Sequence, residues 1–198
     1  MAIDPLPCRL IVPSLETLPS YKNALRLGWS PDNLRAVAAS EELARAERDP
    51  AAFVAALDDP EARGGPITLP DGSVVPRLPG FRRWIWDGEA AGSVGFRWHK
   101  GSPTLPPYVL GHIGYAVVPW KRGRGYATAA LRLLLDDLRV RGLPAAGLAY
   151  VELTADPDNP ASQRVITGNG GYLLERFAKQ AGYGGGETLR FRIDLRGS

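Results

Sequence analysis

Cysteine, histidine and long apolar runs are what this chain lacks. A single cysteine, Cys8, excludes an internal disulfide framework, and two histidines, His99 and His112, are too few for a dedicated zinc site. No apolar stretch approaches the roughly 20 residues a membrane helix requires. The opening MAIDPLPCRLIVPSLETLPSYK has no basic head, apolar centre and small-residue cleavage site of a secretion signal. Charge is nearly balanced, with 24 basic residues against 21 acidic ones, and the arginines are scattered, so the concentrated basic face of a nucleic-acid binder is missing. The expectation is a soluble, cytoplasmic protein, monomer or homodimer, with no metal, nucleic acid or membrane partner. A weak excess of positive charge suits a small anionic ligand.

What the chain does have is apolar residues, 44% of 198, and 18 prolines and 23 glycines spaced between apolar segments, as in one turn-rich globular domain spanning 1–198. CRLIVPS reads as a short first strand. Helices follow: one with Tyr21, Ala24, Leu25 and Trp29 on its apolar face, one opened by Ser30 as cap and Pro31 at its first position, and a short one after Pro50. GGPITLPDGSVVPRLPGF suggests an irregular two-stranded flap turning at Asp71-Gly72. A hairpin with strands Arg83–Trp86 and Ser93–Trp98 comes next, then the strand HIGYAVV. Ala127, Ala130, Leu131, Leu134, Leu135 and Leu138 follow helical spacing, closed by Gly142. LAYVELT, the short helix NPASQRVIT and the pair YLLERF and TLRFRIDL complete a mixed α/β (α+β) pattern with one strand–helix–strand crossover.

That crossover contains PWKRGRG between a strand end and a helix start. The leading amides of a helix have no internal partners and sit at its positive pole, so they receive anions. Gly123 and Gly125 permit close approach, and Lys121, Arg122 and Arg124 add charge, a combination suited to a diphosphate. A nucleotide P-loop would need G-x-x-x-x-G-K-[ST], which does not occur, and a dinucleotide fingerprint would need glycine where Thr128 stands. A tight, solvated turn is the alternative reading of the same residues.

Arg122-Gly123-Arg124-Gly125-Tyr126-Ala127 fits [Q/R]-x-x-G-x-[G/A], and the segment resembles the GCN5-related N-acetyltransferases (GNAT) over about residues 82–195, in the branch of the ribosomal-protein acetyltransferases. IGYAVVPWKRGRGYATAAL is similar to the family's fourth strand, pyrophosphate loop and third helix. YVELTADPDNPASQRVITGNGG is similar to its fifth strand and the Asn-bearing helix. The resemblance implies a mostly antiparallel sheet with splayed fourth and fifth strands, helices on both faces, and residues 20–80 as a variable helical and flap segment over the acceptor side. It implies an N-acetyltransferase that moves an acetyl group from acetyl-CoA to a primary amine by direct attack. The pantetheine arm would pair with Ala116, Val117 and Val118, the pyrophosphate would sit on Arg122, Gly123, Arg124, Gly125, Tyr126, Ala127 and Thr128, and Asn159 and Ser162 would face the end of the arm.

For the chemistry, Glu152 is the candidate base, with a surface or ion-paired glutamate as its plain alternative. The family's tyrosine seven residues after the Asn is Ile166 here, which leaves Ser162 or Tyr172 as candidate acids and His112 as a proton relay or a structural histidine. Trp84, Trp86 and Trp98 are candidates for the acceptor pocket, against burial in the core as the default for tryptophans at strand spacing. Cys8 reads as an inert buried thiol far from the motif. A catalytically silent acyl-CoA sensor keeps the loop and Asn159 but needs no base.

Overall fold

The computed structural model describes residues 7–69, 72–180, 183 and 185–196. In chain order it contains β1 (Arg9–Ile11), α1 (Leu18–Arg26), α2 (Ala38–Arg48), α3 (Pro50–Ala55), β2 (Asp58–Asp59), β3 (Ile67–Thr68), β4 (Val74–Val75), β5 (Gly80–Trp86) and β6 (Ala90–Arg97). Then follow β7 (Ile113–Val117), a 3-10 turn (Pro119–Lys121), α4 (Tyr126–Val140), β8 (Tyr150–Ala155), α5 (Pro160–Thr167), β9 (Tyr172–Ala178) and β10 (Glu187–Asp194). One sheet has the order β1-β5-β6-β7, with β2 also paired to β5; a second has the order β8-β10-β9; β3 and β4 form a two-stranded flap. The expected crossover from β7 through α4 to β8 therefore joins strands of two different sheets.

The chain divides into two compact units, Met1–Asp58 with Arg82–Gly95 and Tyr115–Leu134, and Asp59–Phe81 with Phe96–Gly114 and Leu135–Ser198. In the first, side-chain alternation along the strands sends Trp84, Ala90, Ala116 and Val118 into one apolar cluster with Leu18, Tyr21, Leu25, Trp29 and Phe53. Their neighbours Ile85, Ala91 and Val117 enter another with Cys8, Ala129 and Ala130, so helices cover both faces of the sheet there. Tyr21 stacks on Trp84 with ring centroids 4.5 Å apart, and its hydroxyl is tied to Glu42, which pairs with Arg82 at 2.7 Å. Trp84 is thus a core residue, the default for a tryptophan at strand spacing, and not pocket lining, and Trp86 packs against the same cluster.

In the second unit β10 pairs antiparallel with both neighbours, and Val151, Leu153 and Ala155 oppose Ile193, Phe191 and Leu189. All six are buried. Tyr150, Glu152, Arg190 and Arg192 occupy the alternate positions of the same two strands. Glu152 therefore belongs to the polar face of these strands.

Two expected elements differ in extent. Ser30 caps no helix: its hydroxyl bonds the Asp32 and Arg35 carbonyls and builds a turn, and the helix begins only at Ala38. The hairpin strands are longer than expected, because Ala-Ala-Gly at 90–92 reads as loop but lies within β6. A Cβ on Gly92 would stand 2.3 Å from the Ala116 carbonyl oxygen, so glycine is what allows β7 so near. The flap pairs Ile67 with Val75 and Thr68 with Val74; Asp71, expected at its turn, lies outside the described residues.

Candidate functional site

The first unit holds the glycine loop. Gly123 and Gly125 take φ of +74° and +78°, the left-handed region that side chains disfavour. A Cβ on Gly123 would meet nothing within 4 Å, and one on Gly125 only the edge of Pro7 at 4.0 Å, so the loop opens to solvent. The first helical bond of α4 recorded from the loop runs from the Ala129 amide to the Gly125 carbonyl at 2.9 Å, and the amides before it lead the helix. A diphosphate fits this cradle in charge and in space.

The sequence assigned three cations to that loop, and one is withdrawn. Lys121 is buried, with Nζ 2.7 Å from both Asp87 oxygens and 2.7 Å from Glu89. Its burial is outweighed by those two carboxylates, which raise its pKa. Tyr126, at the far end of the loop, also donates its hydroxyl to Asp87. Burial works against the Asp87 carboxylate, but the bonds from Lys121 and Tyr126 prevail and hold its pKa below the ordinary value. Asp87, from the β5–β6 turn, thus fastens both ends of the loop. Arg122 and Arg124 are the exposed cations that remain; Arg122 Nε donates to the Val117 carbonyl at 3.1 Å. Cys8, distant in sequence, lies beside the motif, its thiol 3.9 Å from the Tyr126 carbonyl. Burial, reinforced by Asp87, pushes that thiol up to about 11, so it is an unreactive packing group.

The second unit holds the expected catalytic residues. Glu152 is 6% exposed, and its two oxygens face different guanidiniums: Oε1 lies 2.7 Å from Arg192 and Oε2 3.4 Å from Arg190. Arg192 lies over the Tyr150 ring at 3.7 Å, and Arg190 over Phe177 at 4.6 Å while also reaching Glu175. Both oxygens are therefore committed, and the ion-paired alternative describes Glu152 better than the free base does.

His112 is fully buried. Its amide donates to the Glu152 carbonyl at 2.7 Å, and its Nδ1 accepts the Glu152 amide at 2.9 Å, which assigns the ring proton to Nε2. Burial lowers its pKa to about 4. Burial thus favours the neutral ring, in keeping with the structural role. Gly111 makes the approach possible, since a Cβ there would be 2.9 Å from the same Glu152 carbonyl.

Asn159 caps α5, its side-chain oxygen accepting the Ser162 amide at 3.0 Å. Ser162 is half-buried in the first turn of that helix. Tyr172 is 45% exposed at the start of β9, so it is not the core aromatic it could have been, while Ile166 is buried at 1% exposure. Sequence reasoning missed Asp87, Arg190 and Arg192. Only Asp87 left a trace, as the acid of an Asp-Gly turn.

The model of the acetyltransferase (GNAT) domain matches residues 43–171, well over half of the chain, and the chain belongs to that family of acetyltransferases. No curated protein matches it by sequence. Among solved structures it is similar to the microcin C7 self-immunity acetyltransferase MccE in complex with acetyl-CoA and AMP, with TM-score 0.59, 12% identity, and coverage of 94% of this chain and 92% of that one. It is similar to the ribosomal L7/L12 alpha-N-protein acetyltransferase RimL, with TM-score 0.57, 13% identity and 98% of each chain covered. A chimera of the spermidine N-acetyltransferase SpeG from Vibrio cholerae with hSSAT gives TM-score 0.56, 12% identity and 96% of each chain covered. At these identities the likeness is one of fold.

Proposed function

We propose that this protein is an acetyl-CoA-dependent N-acetyltransferase that holds the cofactor pyrophosphate on the loop from Arg122 to Thr128 and passes the acetyl group directly to a primary amine. The observation that carries this reading is the loop: two left-handed glycines open to solvent at the mouth of α4, fixed at both ends by Asp87. When bound, acetyl-CoA supplies an activated acyl carbon. The chain supplies amides from Gly123 onward for the diphosphate, exposed charge from Arg122 and Arg124, and, for the pantetheine arm, the outer edge of β7, where Val117 of the three expected residues turns its carbonyl together with Tyr115, while Ala116 and Val118 face β6. Asn159 keeps its carboxamide NH2 without a protein partner among the described residues, a donor available to a ligand.

Proton handling is assigned to groups outside the Glu152 cluster. With both Glu152 oxygens on guanidiniums and His112 neutral, the amine loses its proton to solvent or arrives already neutral, and the thiolate departs unassisted or with a proton from Ser162 or Tyr172. The acceptor class includes a protein N-terminus, an amino acid, a polyamine or an antibiotic amine.

A second reading, a silent acyl-CoA sensor, draws on the same two facts: the committed Glu152 and an apolar Ile166 at the family's tyrosine position. Thermal shifts with acetyl-CoA, ATP and NADH, followed by CoA release against a panel of amines and peptides, separate the readings. Stabilisation by acetyl-CoA with amine-dependent CoA release is expected. Stabilisation by ATP but not acetyl-CoA contradicts the main reading, and acetyl-CoA binding with no release across the panel gives the sensor.

A further inference from the structure

β7 ends its sheet, so among the described residues one of its edges has no strand of that sheet beside it. Which carbonyls point to that edge follows from the register. The Arg97 amide donates to the His112 carbonyl and the Val118 amide to the Ala91 carbonyl, an antiparallel register that turns even-numbered β7 carbonyls toward β6. The Ala116 oxygen, crowding the place of a Cβ on Gly92, agrees. Tyr115 and Val117 consequently present their carbonyls outward, and both are capped by side chains. Asn33 Nδ2 donates to the Tyr115 carbonyl at 2.8 Å, and Arg122 Nε to the Val117 carbonyl at 3.1 Å. Neither donor belongs to a strand: Arg122 is in the glycine loop, and Asn33 sits in the exposed turn between α1 and α2.

We propose that Asn33 is a latch that sets cofactor affinity. It fills an edge position on β7 that the pantetheine amides take when acetyl-CoA binds, so binding exchanges the side chain for the cofactor and releases the turn at residues 30–37. This rests on the acetyl-CoA reading above. The capped state must be opened before the edge can pair, which lowers the apparent affinity by the fraction of time the edge is open. One hydrogen bond of this kind corresponds to about 2- to 12-fold in affinity. Asn33 is exposed and outside the core, so its replacement leaves the fold intact.

Calorimetric titration of CoA into wild type, Asn33→Ala and Asn33→Asp tests the latch without any turnover. Both variants, which lack the donor, are expected to bind about 2- to 12-fold more tightly. Hydrogen exchange in the wild-type segment 30–37 is expected to rise when CoA is added, opposite to the protection a ligand gives to residues it covers. A Kd for Asn33→Ala equal to or weaker than that of wild type, or lowered exchange of 30–37 with CoA bound, overturns the latch. Failure of all three proteins to bind CoA removes the acetyl-CoA reading itself, and the latch with it.

Discussion

At the mouth of α4 the protein buries a lysine between carboxylates and leaves two arginines in water; on the face shared by β8 and β10 it buries a glutamate between two arginines. The first arrangement shapes a loop whose exposed charge is available to a ligand. The second consumes its charge internally, with Tyr150 and Phe177 stacked under the guanidiniums. A carboxylate in the right strand of an acetyltransferase is therefore not by itself a base, and a lysine in a phosphate loop is not by itself a phosphate ligand. What decides is which partners the fold brings up to them.

The largest effect is expected where charge is consumed. Glu152→Ala leaves Arg190 and Arg192 facing a buried gap and should cost about 3 to 5 kcal/mol of stability, read as a fall of the midpoint in thermal or denaturant unfolding. Glu152→Gln should fold better and, where folded, keep acetyl transfer with an unchanged pH profile. Loss of turnover in folded Glu152→Gln would return the role of base to this residue.

His112 gives the next effect. Its folded pKa, about 4, lies below the ordinary 6.5, so the unfolded chain binds the proton more readily. Stability from the neutral ring is complete above about pH 6.5 and is lost as pH falls toward 4, by about 3 kcal/mol in all. Denaturant titrations between these limits should show the slope, and His112→Gln should flatten it.

Asp87→Ala addresses the loop. It leaves Lys121 with Glu89 alone and removes the acceptor of the Tyr126 hydroxyl. A loss of about 2 kcal/mol is expected, with a weaker Kd for acetyl-CoA. If affinity is unchanged, Asp87 does not position the loop.

The same contrast explains how far the sequence could be read. Strand, loop and long helix around Gly123 and Gly125 are legible because neighbours in sequence decide them: glycine conformations, helical spacing and a helix mouth. The start of the short helix α5 near Asn159 is legible for the same reason. The partners of Glu152 are not, since Arg192 and Arg190 come from β10 and meet it only through strand register. Nor was the fate of Lys121, set by a carboxylate from another turn, or the place of Cys8 beside Tyr126. Trp84 could equally have lined a pocket or filled the core; the helices α1 and α3, with Tyr21 and Phe53, put it in the core. Helix α2 began later than expected because the Ser30 hydroxyl closes a local turn, accepting the Asp32 amide and reaching the Asp32 and Arg35 carbonyls, in place of capping a helix.

The central claim is that the loop from Arg122 to Thr128 holds the pyrophosphate of acetyl-CoA. Titration of acetyl-CoA into wild type and Gly125→Glu tests it directly. A side chain at φ +78° costs about 1 to 2 kcal/mol, so the variant should remain folded. Its carboxylate would occupy the cradle and repel the diphosphate. Binding by wild type and no measurable binding by the folded variant is the expected result. An unchanged Kd in Gly125→Glu would contradict the account.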